Sequence, residues 1–280
     1  MKFILHLLFF TLFAWGFDAQ NGKSLILLLN DSHGIVALND RNITVIPQPL
    51  NPNIGFAVLP FDYYAIPQIV EAKWRVSDKS LPLNINIVSA AYPTEILSVE
   101  SAKVTPPPET LERIANEKAE AEKIYATYNP TRYWNKPFIR PIESITTSEY
   151  GSSRTYNGVL KSYHGGVDFR AKTPLPIIAS NDGVVVLAKD RYYSGGTVII
   201  DHGEGIYTCY FHFSQLNVKA GDTITQGQTL GLSGATGRIT GPHLHFGIMA
   251  HGIQIDPLDF LAQINRLFEL QTTIAQSFQK

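Results

Sequence analysis

Short apolar runs bounded by turn residues recur along the chain and favour a mostly β fold. In LPLNINIVS, Leu83, Ile85 and Ile87 alternate with asparagines. This period of two residues places one face of a strand against a core and the other toward solvent. Comparable runs lie at 24–30, 34–40, 43–48, 55–62, 183–189, 196–203, 205–213, 229–234 and 243–250. The pattern predicts β-sheets in both halves of the chain.

One helical segment interrupts the strands and separates two domains. After the stiff stretch VTPPPE, residues 109–128 place apolar side chains along one stripe of an amphipathic helix. We therefore predict the following organisation: a small β-sandwich-like N-terminal domain at 20–104, a linker with this helix at 105–138, an antiparallel β-sheet domain with a groove at 139–262, and a C-terminal helix at 263–280.

The N-terminal segment has the composition of an export signal. In MKFILHLLFFTLFAWGFDAQ a lysine at position 2 precedes an apolar run that is shorter than the roughly 20 residues of a membrane span. We predict a signal peptide at 1–19, cleaved after Gly16 or Ala19, and hence an exported protein. An uncleaved N-terminal membrane anchor is the alternative.

Composition excludes recognition by charge alone. Lys and Arg number 23 against 24 Asp and Glu, so there is no basic excess to hold nucleic acid or an anionic membrane. Any polymer must therefore be recognised by a shaped groove. The single cysteine, Cys209, cannot form an intramolecular disulfide, and we interpret it as a small buried hydrophobe.

Four of the eight histidines, together with one aspartate, form the candidate site. In HGGVD, two glycines let the backbone bend so that His164 and Asp168 reach one point. In HLHFG, His243 and His245 lie two residues apart and share one face of a strand.

The fourth histidine of the set, His212, lies near the end of the strand GIYTCYFHF. Alternation along this strand places His212 on the same face as Tyr210. If the strand lies close to HLHFG in one sheet, His212 lines the same groove as His243 and His245. Tyr210 then lies near the groove or has a packing role.

This set of side chains predicts a catalytic zinc centre. Catalytic zinc takes three protein ligands from histidines and carboxylates and keeps one position open. His164, Asp168 and one histidine of the HLH pair supply such ligands, and the two remaining histidines are then available for proton transfer. Core histidines with satisfied hydrogen bonds are the alternative, but the joint occurrence of the motifs favours the zinc centre. The other histidines are interpreted as a signal-segment residue (His6), solvated residues (His33, His251) and a turn residue (His202).

Six motifs follow one another in the second half of the chain: YGSSR, HGGVDFRA, SNDGVV, DHGEGIYTCYFHFSQL, VKAGDTITQGQTLGLSGATG and RITGPHLHFGI. Their content and order resemble those of the lysostaphin-type, or LytM-like, zinc peptidases that cut peptidoglycan cross-bridges. The resemblance covers roughly residues 140–262. It implies a LytM-like antiparallel β-sheet catalytic domain. Gly247 stands where the family often has a glutamate, at a position that is not a ligand.

The resemblance also implies a role for each residue of the candidate site. His164, Asp168 and His245 correspond to the zinc ligands, and His212 and His243 correspond to the catalytic histidines. The expected reaction is zinc-dependent hydrolysis of peptide cross-links by a periplasmic D,D-endopeptidase of the Gram-negative type, with D,D-carboxypeptidase activity as a further option.

The resemblance implies cross-linked stem peptides of peptidoglycan as the partner. We predict no nucleic-acid partner, because the chain has no basic excess, and we predict a monomer. Docking to other wall proteins is a further option for the first domain. Two alternatives belong to other functional classes. One is a metal-free LytM-like regulator that binds and activates a wall amidase, although such regulators typically lack the zinc ligands. The other is a biotinyl or lipoyl carrier domain, suggested by VKAGDTITQGQTLG, but no modifiable lysine stands at a hairpin tip.

Overall fold

The computed structural model describes residues 16–172 and 174–269 and divides the chain into two units. The described part of the first unit is 16–90 with 259–269, and the second unit is Ala91–Leu258. Both units consist mainly of β-strands, which confirms the predicted fold class. Residues 1–15 of the predicted signal peptide and 270–280 of the predicted C-terminal helix lie outside the described residues. Within the described ranges, no helix has the length and apolar character needed to cross a membrane.

The first unit is a sandwich of two sheets around one core. Its strands are β1 (Gly16–Gln20), β2 (Ser24–Leu29), β3 (Ile35–Leu38), β4 (Arg41–Thr44), β5 (Ile46–Gln48), β6 (Asn51–Pro60), β7 (Gln68–Val76) and β8 (Lys79–Val88). One sheet has the order β1-β8-β7-β3-β4 and the other has the order β2-β6-β5. The buried side chains of the two sheets pack together in one core. Val36 and Ile85 of the first sheet and Leu27 and Leu59 of the second belong to one apolar cluster. The predicted sandwich is therefore confirmed for this unit.

The second unit contains a large antiparallel sheet and a small sheet beside it. Its strands are β9 (Thr94–Leu97), β10 (Thr146–Ser148), β11 (Ser153–Tyr156), β12 (Leu160–Tyr163), β13 (Val167–Arg170), β14 (Pro176–Ile178), β15 (Gly183–Arg191), β16 (Gly195–Asp201), β17 (Ile206–Leu216), β18 (Thr223–Ile224), β19 (Thr229–Ser233), β20 (His243–Ala250) and β21 (Ile253–Ile255). The large sheet has the order β10-β13-β20-β17-β16-β15-β18, with β19 also paired to β17. The small sheet has the order β12-β11-β9.

Helix α1 (Leu111–Ala126) packs on the large sheet of the second unit. Ile124 and Tyr125 contact an apolar cluster that includes Tyr207 and Cys209. The Tyr125 hydroxyl lies 3.2 Å from the Cys209 sulfur, and burial raises the pKa of this thiol to about 12. Cys209 is 3% exposed, which confirms its interpretation as a small buried hydrophobe.

The units divide the chain at other places than the predicted domain boundaries. Residues 94–97, assigned from sequence to the domain at 20–104, pair in parallel with Ser153–Tyr156 of the second unit. The segment 105–138, predicted as a linker, likewise belongs to the second unit, where it contributes α1. A parallel pairing between strands so far apart in sequence leaves no local signature, so the break at Ala90 could not be recognised.

Both ends of the described chain contribute to the first unit. Phe17 and Ala19, at the end of the predicted signal peptide, lie in β1 and belong to the buried core. Helix α2 (Pro257–Asn265) spans the predicted domain boundary at 263 and leads into a 3-10 turn at Arg266–Phe268. The Gln263 side chain donates a hydrogen bond to the backbone oxygen of Ser24 at 2.8 Å. This hydrogen bond connects α2 to β2.

Candidate metal centre

Two adjacent strands and one loop bring the predicted metal ligands together. β13 pairs with β20 so that Asp168 lies directly opposite His245, and directly opposed residues share one face of the sheet. Asp168 Oδ1 lies 3.0 Å from His245 Nδ1. His164, just after β12, places its Nε2 atom 2.9 Å from Asp168 Oδ1 and 2.9 Å from His245 Nδ1. One atom of each side chain therefore converges on a common point.

This donor set fits a zinc ion. The converging atoms, two imidazole nitrogens and one carboxylate oxygen, lie within 4.8 Å of one another, and all three residues are buried. His164 Nδ1 lies 2.9 Å from the Glu149 carbonyl oxygen, which can only accept, so Nδ1 carries the proton and Nε2 offers a lone pair. Burial is the largest influence on the pKa of His245 and lowers it to about 4. Neutral imidazoles and a carboxylate are the ligands of catalytic zinc sites.

The Asp168 carboxylate is ionised in this environment. Burial by itself raises the pKa of this group, but its electrostatic interactions with His164 and His245 outweigh burial. The pKa of Asp168 is therefore held well below its usual range. An ionised carboxylate is the form that a metal ion binds.

The two glycines of HGGVD provide space beside β20. Neither Gly165 nor Gly166 has a positive φ. A Cβ atom on Gly166 would lie 2.5 Å from His245 Nε2, and one on Gly165 would lie 2.2 Å from the Gln254 side chain. The glycines are thus required for close approach of the loop to the strand, which is a different reason from the predicted bend.

His212 reaches the site because the backbone of β17 changes direction at this residue. Phe211 pairs opposite His245, and the two rings stack with their centres 4.9 Å apart. Strict alternation would therefore place His212 on the other face, with Tyr210. The pairing of β17 with β16 shifts register here, and His212 has a φ of 69° in the left-handed region. The centre of its ring consequently lies 4.7 Å from that of His243.

The prediction that His212 and Tyr210 share one face of β17 was therefore wrong. The prediction that His212 and His243 line the same groove agrees with the structure. In the sequence pattern, Tyr210 and His212 occupy the same strand face. In the structure, Tyr210 is fully buried, and its hydroxyl accepts a hydrogen bond from the Ser180 backbone at 2.9 Å. Tyr210 is a packing residue away from the candidate site.

His212 and His243 both carry a ring proton on Nδ1. His212 Nδ1 lies 2.7 Å from the carbonyl oxygen of Thr236, and His243 Nδ1 lies 2.7 Å from that of Gly241. Because a carbonyl can only accept, each Nδ1 donates and each Nε2 is left as a proton acceptor. Burial, followed by the neighbouring histidines, lowers the pKa of His212 to about 3. His212 is therefore neutral at neutral pH.

Arg154 connects the candidate metal centre to a strand that precedes α1. Its Nη2 atom donates to Asp168 Oδ2 at 2.8 Å, and its Nε atom donates to Glu95 Oε2 at 2.8 Å. Asp168 thus uses one oxygen for Arg154 and turns the other toward His164 and His245. In the sequence Arg154 was part of YGSSR without an assigned role, and Glu95 had no local signal.

Replacing Arg154 with glutamine is expected to weaken zinc affinity by roughly 10- to 100-fold, the usual cost of losing a group that orients a metal ligand. Arg154→Lys should have an intermediate effect, because lysine keeps the charge but not the forked donor geometry. The measurement is competition with a chelator, with Arg75→Gln, at an exposed position of β7, as the control. An unchanged affinity in Arg154→Gln would show that Asp168 is oriented without this arginine.

The remaining described histidines lie away from the candidate metal centre. The His33 side chain is 83% exposed, as predicted. The His202 ring, in contrast, is fully buried between the Asp182 carbonyl and the Thr208 hydroxyl, and burial lowers its pKa to about 4. His251 is half-buried and stacks on Tyr128, so its prediction as merely solvated is wrong. His6 lies outside the described residues.

A cavity of about 200 Å³ opens beside the candidate site. Its lining residues come from four parts of the second unit: Glu95, Leu97 and Val99 at β9; Thr147, Ser148, Arg154 and Tyr156 at β10 and β11; Asp168 and His212; and Arg238, Ile239, Thr240, His243 and His245 around the start of β20. Asp168, His212, His243 and His245 thus face a common space.

Comparison with known proteins identifies the domain that holds this site. Residues 162–257 match the model of Peptidase family M23. Over 95 residues the chain is 42% identical to the peptidoglycan DD-endopeptidase ShyA of Vibrio cholerae, an alignment that covers 34% of this chain and 22% of ShyA. Over 130 residues it is 37% identical to the peptidoglycan DD-endopeptidase ShyC of the same organism, covering 45% of this chain and 30% of ShyC.

A structural comparison extends over both units. A crystal structure from Pseudomonas aeruginosa, described as a peptidase M23, has a TM-score of 0.66 and covers 84% of this chain and 92% of that chain. The identity is 24%, so this likeness concerns the fold alone. The chain spans less than a third of the length of the two curated relatives. The chain carries a domain of Peptidase family M23 over residues 162–257.

Proposed function

We propose that the second unit, with its M23 domain at 162–257, is a zinc-dependent endopeptidase that hydrolyses peptide cross-links in bacterial peptidoglycan. The observation that carries this proposal is the convergence of the donor set His164, Asp168 and His245 next to the His212–His243 pair. ShyA and ShyC are peptidoglycan DD-endopeptidases, and this similarity supports cross-linked stem peptides as the substrate. The presence of the complete donor set disfavours a metal-free regulator.

His164, Asp168 and His245 would hold the zinc ion. When bound, zinc supplies Lewis acidity, which acidifies water and polarises a carbonyl group. Arg154 orients Asp168 through its second oxygen, and the Glu149 carbonyl fixes the ring of His164. All of these groups come from the second unit, and we propose that the enzyme is a monomer.

His212 and His243 would transfer the protons of the reaction. Each ring presents an unprotonated Nε2 atom while its Nδ1 donates to a backbone carbonyl. One ring accepts the proton of the attacking water and then returns it to the leaving amine. The ring centroids are 4.7 Å apart, so protonation of one ring disfavours protonation of the other. The pair would therefore carry one proton at a time.

The bond that is cut decides between the activities proposed for this unit. We propose D,D-endopeptidase activity, with D,D-carboxypeptidase activity on uncross-linked stems as a second reaction of the same site. The test is digestion of purified peptidoglycan by the full chain, followed by mass analysis of the muropeptides. Conversion of dimers to monomers supports the endopeptidase, and loss of a terminal D-alanine supports the carboxypeptidase. If a zinc-loaded chain produces neither change, the proposed function is wrong.

We further propose that the protein is exported and that its mature chain begins at or before Phe17. Phe17 and Ala19 are 9% and 5% exposed and pack in the core of the first unit. Cleavage after Ala19 would remove both side chains and most of β1, whereas cleavage after Gly16 would keep them. Burial of a phenylalanine side chain contributes about 1.5–3 kcal/mol to stability.

The expected result is a mature protein whose first residue is Phe17 or an earlier one. Expression in a Gram-negative host, periplasmic extraction and intact-mass measurement determine the start of the chain. A homogeneous and folded protein that begins at Gln20 would contradict the proposed role of β1. A cell-associated chain that retains residue 1 would instead support the membrane-anchor alternative.

A further inference from the structure

We infer that Arg238 binds the carboxylate group next to the scissile bond of the substrate, an inference that rests on the proposed function. Arg238 lines the cavity that also contains His212, His243 and His245. It lies just before β20, half-buried, and neither its motif RITGPHLHFGI nor the proposed chemistry gives its side chain a role. A cation at this position in the cavity can bind an anionic ligand.

The side chain of Arg238 is held in place without using up its hydrogen-bond donors. Its guanidinium carbon lies 4.6 Å from the ring centre of Tyr156 and 4.7 Å from that of Tyr193. The backbone nitrogen of Arg238 donates to the Tyr193 carbonyl at 2.7 Å. A guanidinium that stacks on aromatic rings keeps its in-plane N–H groups for a planar acceptor such as a carboxylate.

A glycine makes this placement of Arg238 available. Gly237 has a φ of 79°, and a Cβ atom there would lie 2.4 Å from the Tyr193 carbonyl oxygen and 2.5 Å from the Gly195 nitrogen. A side chain at position 237 would therefore push the loop away from the turn between β15 and β16. Glycine lets the loop lie against this turn, and Arg238 is thereby placed over Tyr193.

The acidic groups of the cavity are already paired with another arginine. The two carboxylates that line it are Asp168 and Glu95, and both accept hydrogen bonds from Arg154 at 2.8 Å. Among the described residues, no carboxylate lies within ion-pair distance of Arg238. Arg238 is thus a cation in the cavity with its forked donors available for an anionic ligand.

The same loop connects Arg238 to the proposed proton-transfer residues. Thr236, two residues earlier, accepts the Nδ1 proton of His212 with its carbonyl oxygen at 2.7 Å. Its hydroxyl donates to the Phe213 carbonyl and accepts from the Gly196 nitrogen, both at 2.9 Å. The loop is therefore fixed to β16 and β17. A carboxylate bound at Arg238 would be held at a defined position relative to His212.

The chemistry of the proposed substrate supplies such a carboxylate. When a stem-peptide carboxyl group is joined to the side-chain amine of a diamino dicarboxylic acid such as diaminopimelic acid, the carbon that bears this amine also bears a free carboxylate. A terminal D-alanyl-D-alanine bond has the same feature, because the leaving D-alanine carries a free carboxylate. One arginine next to the histidines would therefore serve both proposed reactions. An amide bond inside a glycine bridge has no carboxylate at this position.

The test compares two defined substrates that differ in one group. One is a cross-linked muropeptide dimer with a free carboxylate beside the scissile amide, and the other has this group amidated. We expect the zinc-loaded full chain to prefer the free carboxylate by roughly 10- to 100-fold in kcat/KM, the scale of a charge-assisted bidentate contact. Arg238→Gln should lose this preference by slowing only the free-carboxylate substrate. Arg238→Lys should keep part of the preference, because it retains the charge but not the fork.

The control variant is Arg75→Gln, which removes an exposed arginine of the first unit and should change neither rate. Zinc content and thermal unfolding of each variant show whether the site remains assembled. If the wild-type chain cleaves both substrates equally well, the inference about Arg238 is overturned while the proposed function stands. An equal loss on both substrates in Arg238→Gln would also overturn it, since that pattern indicates only a structural effect on the loop. No cleavage of either substrate by the wild-type chain would overturn the proposed function itself.

Discussion

Chains that carry His164→Ala or Asp168→Asn are expected to lose zinc and hydrolytic activity together. His164→Ala removes one of three converging donor atoms, and Asp168→Asn replaces the anionic carboxylate with a neutral amide that binds zinc weakly, whereas catalytic zinc sites usually require three protein ligands. We expect the zinc content to fall from about one ion per chain to nearly none after dialysis, because an incomplete donor set binds the ion far more weakly. Elemental analysis and release of monomers from cross-linked muropeptides measure the two effects.

The matched control for this experiment is His33→Ala. It removes a histidine whose side chain is 83% exposed and lies in the first unit. This variant should keep the zinc content and the activity of the wild-type chain. Circular dichroism and thermal unfolding establish that the altered chains are folded. Full zinc occupancy in both His164→Ala and Asp168→Asn would refute the assigned donor set.

The second large effect is expected in His212→Ala and His243→Ala, which should keep zinc but lose turnover. The proposed role of these rings is proton transfer, and a group of this kind accounts for roughly 10²- to 10⁴-fold in rate. We expect kcat to fall by at least about 10²-fold in each variant with a smaller change in KM, because the loss concerns the transition state. The measurement combines zinc content with steady-state kinetics on a defined muropeptide dimer.

The double variant provides a sharper test of the paired histidines. Two rings that handle one proton act as a unit, so the combined loss should be much smaller than the product of the two single losses. His251→Ala is the matched control, because His251 stacks on Tyr128 and does not line the cavity. Near-normal turnover in either single variant, or the loss of zinc in both, would contradict the separation between metal binding and proton transfer.

Several strands of the large sheet could be predicted because each is marked by its own residues, whereas β13, which carries Asp168, was not among the predicted runs. The run HLHFGIMA coincides with β20, and GVVVLAK and GTVIIDHG lie largely within β15 and β16. Each run is apolar or alternating and ends at a turn, so the information is local. The spacing in HLHFG also placed His243 and His245 on one face, as the structure has them.

Features that depend on partners far along the chain could not be predicted in this way. Strict alternation on β17 assigns His212 to the wrong face, because the positive φ that redirects its ring has no signature in GIYTCYFHF. Glu95 acquires its position only when β9 pairs with β11. Arg238 likewise acquires its stacking partners only after the turn that carries Tyr193 is in place. These contacts are properties of the tertiary structure.

We expect the parallel pairing of β9 with β11 to affect the order in which the cavity becomes complete during folding. Joining Leu97 to Tyr156 in an unfolded chain closes a long loop, and the entropic cost of such a closure is roughly 3–4 kcal/mol. Helix α1 lies inside this loop, and its packing on the large sheet shortens the segment that remains to be closed. We therefore expect the strand that carries Glu95 to dock after the sheet and the helix have formed. A folding chain would then assemble the candidate metal ligands before the strand that completes the lining of the cavity.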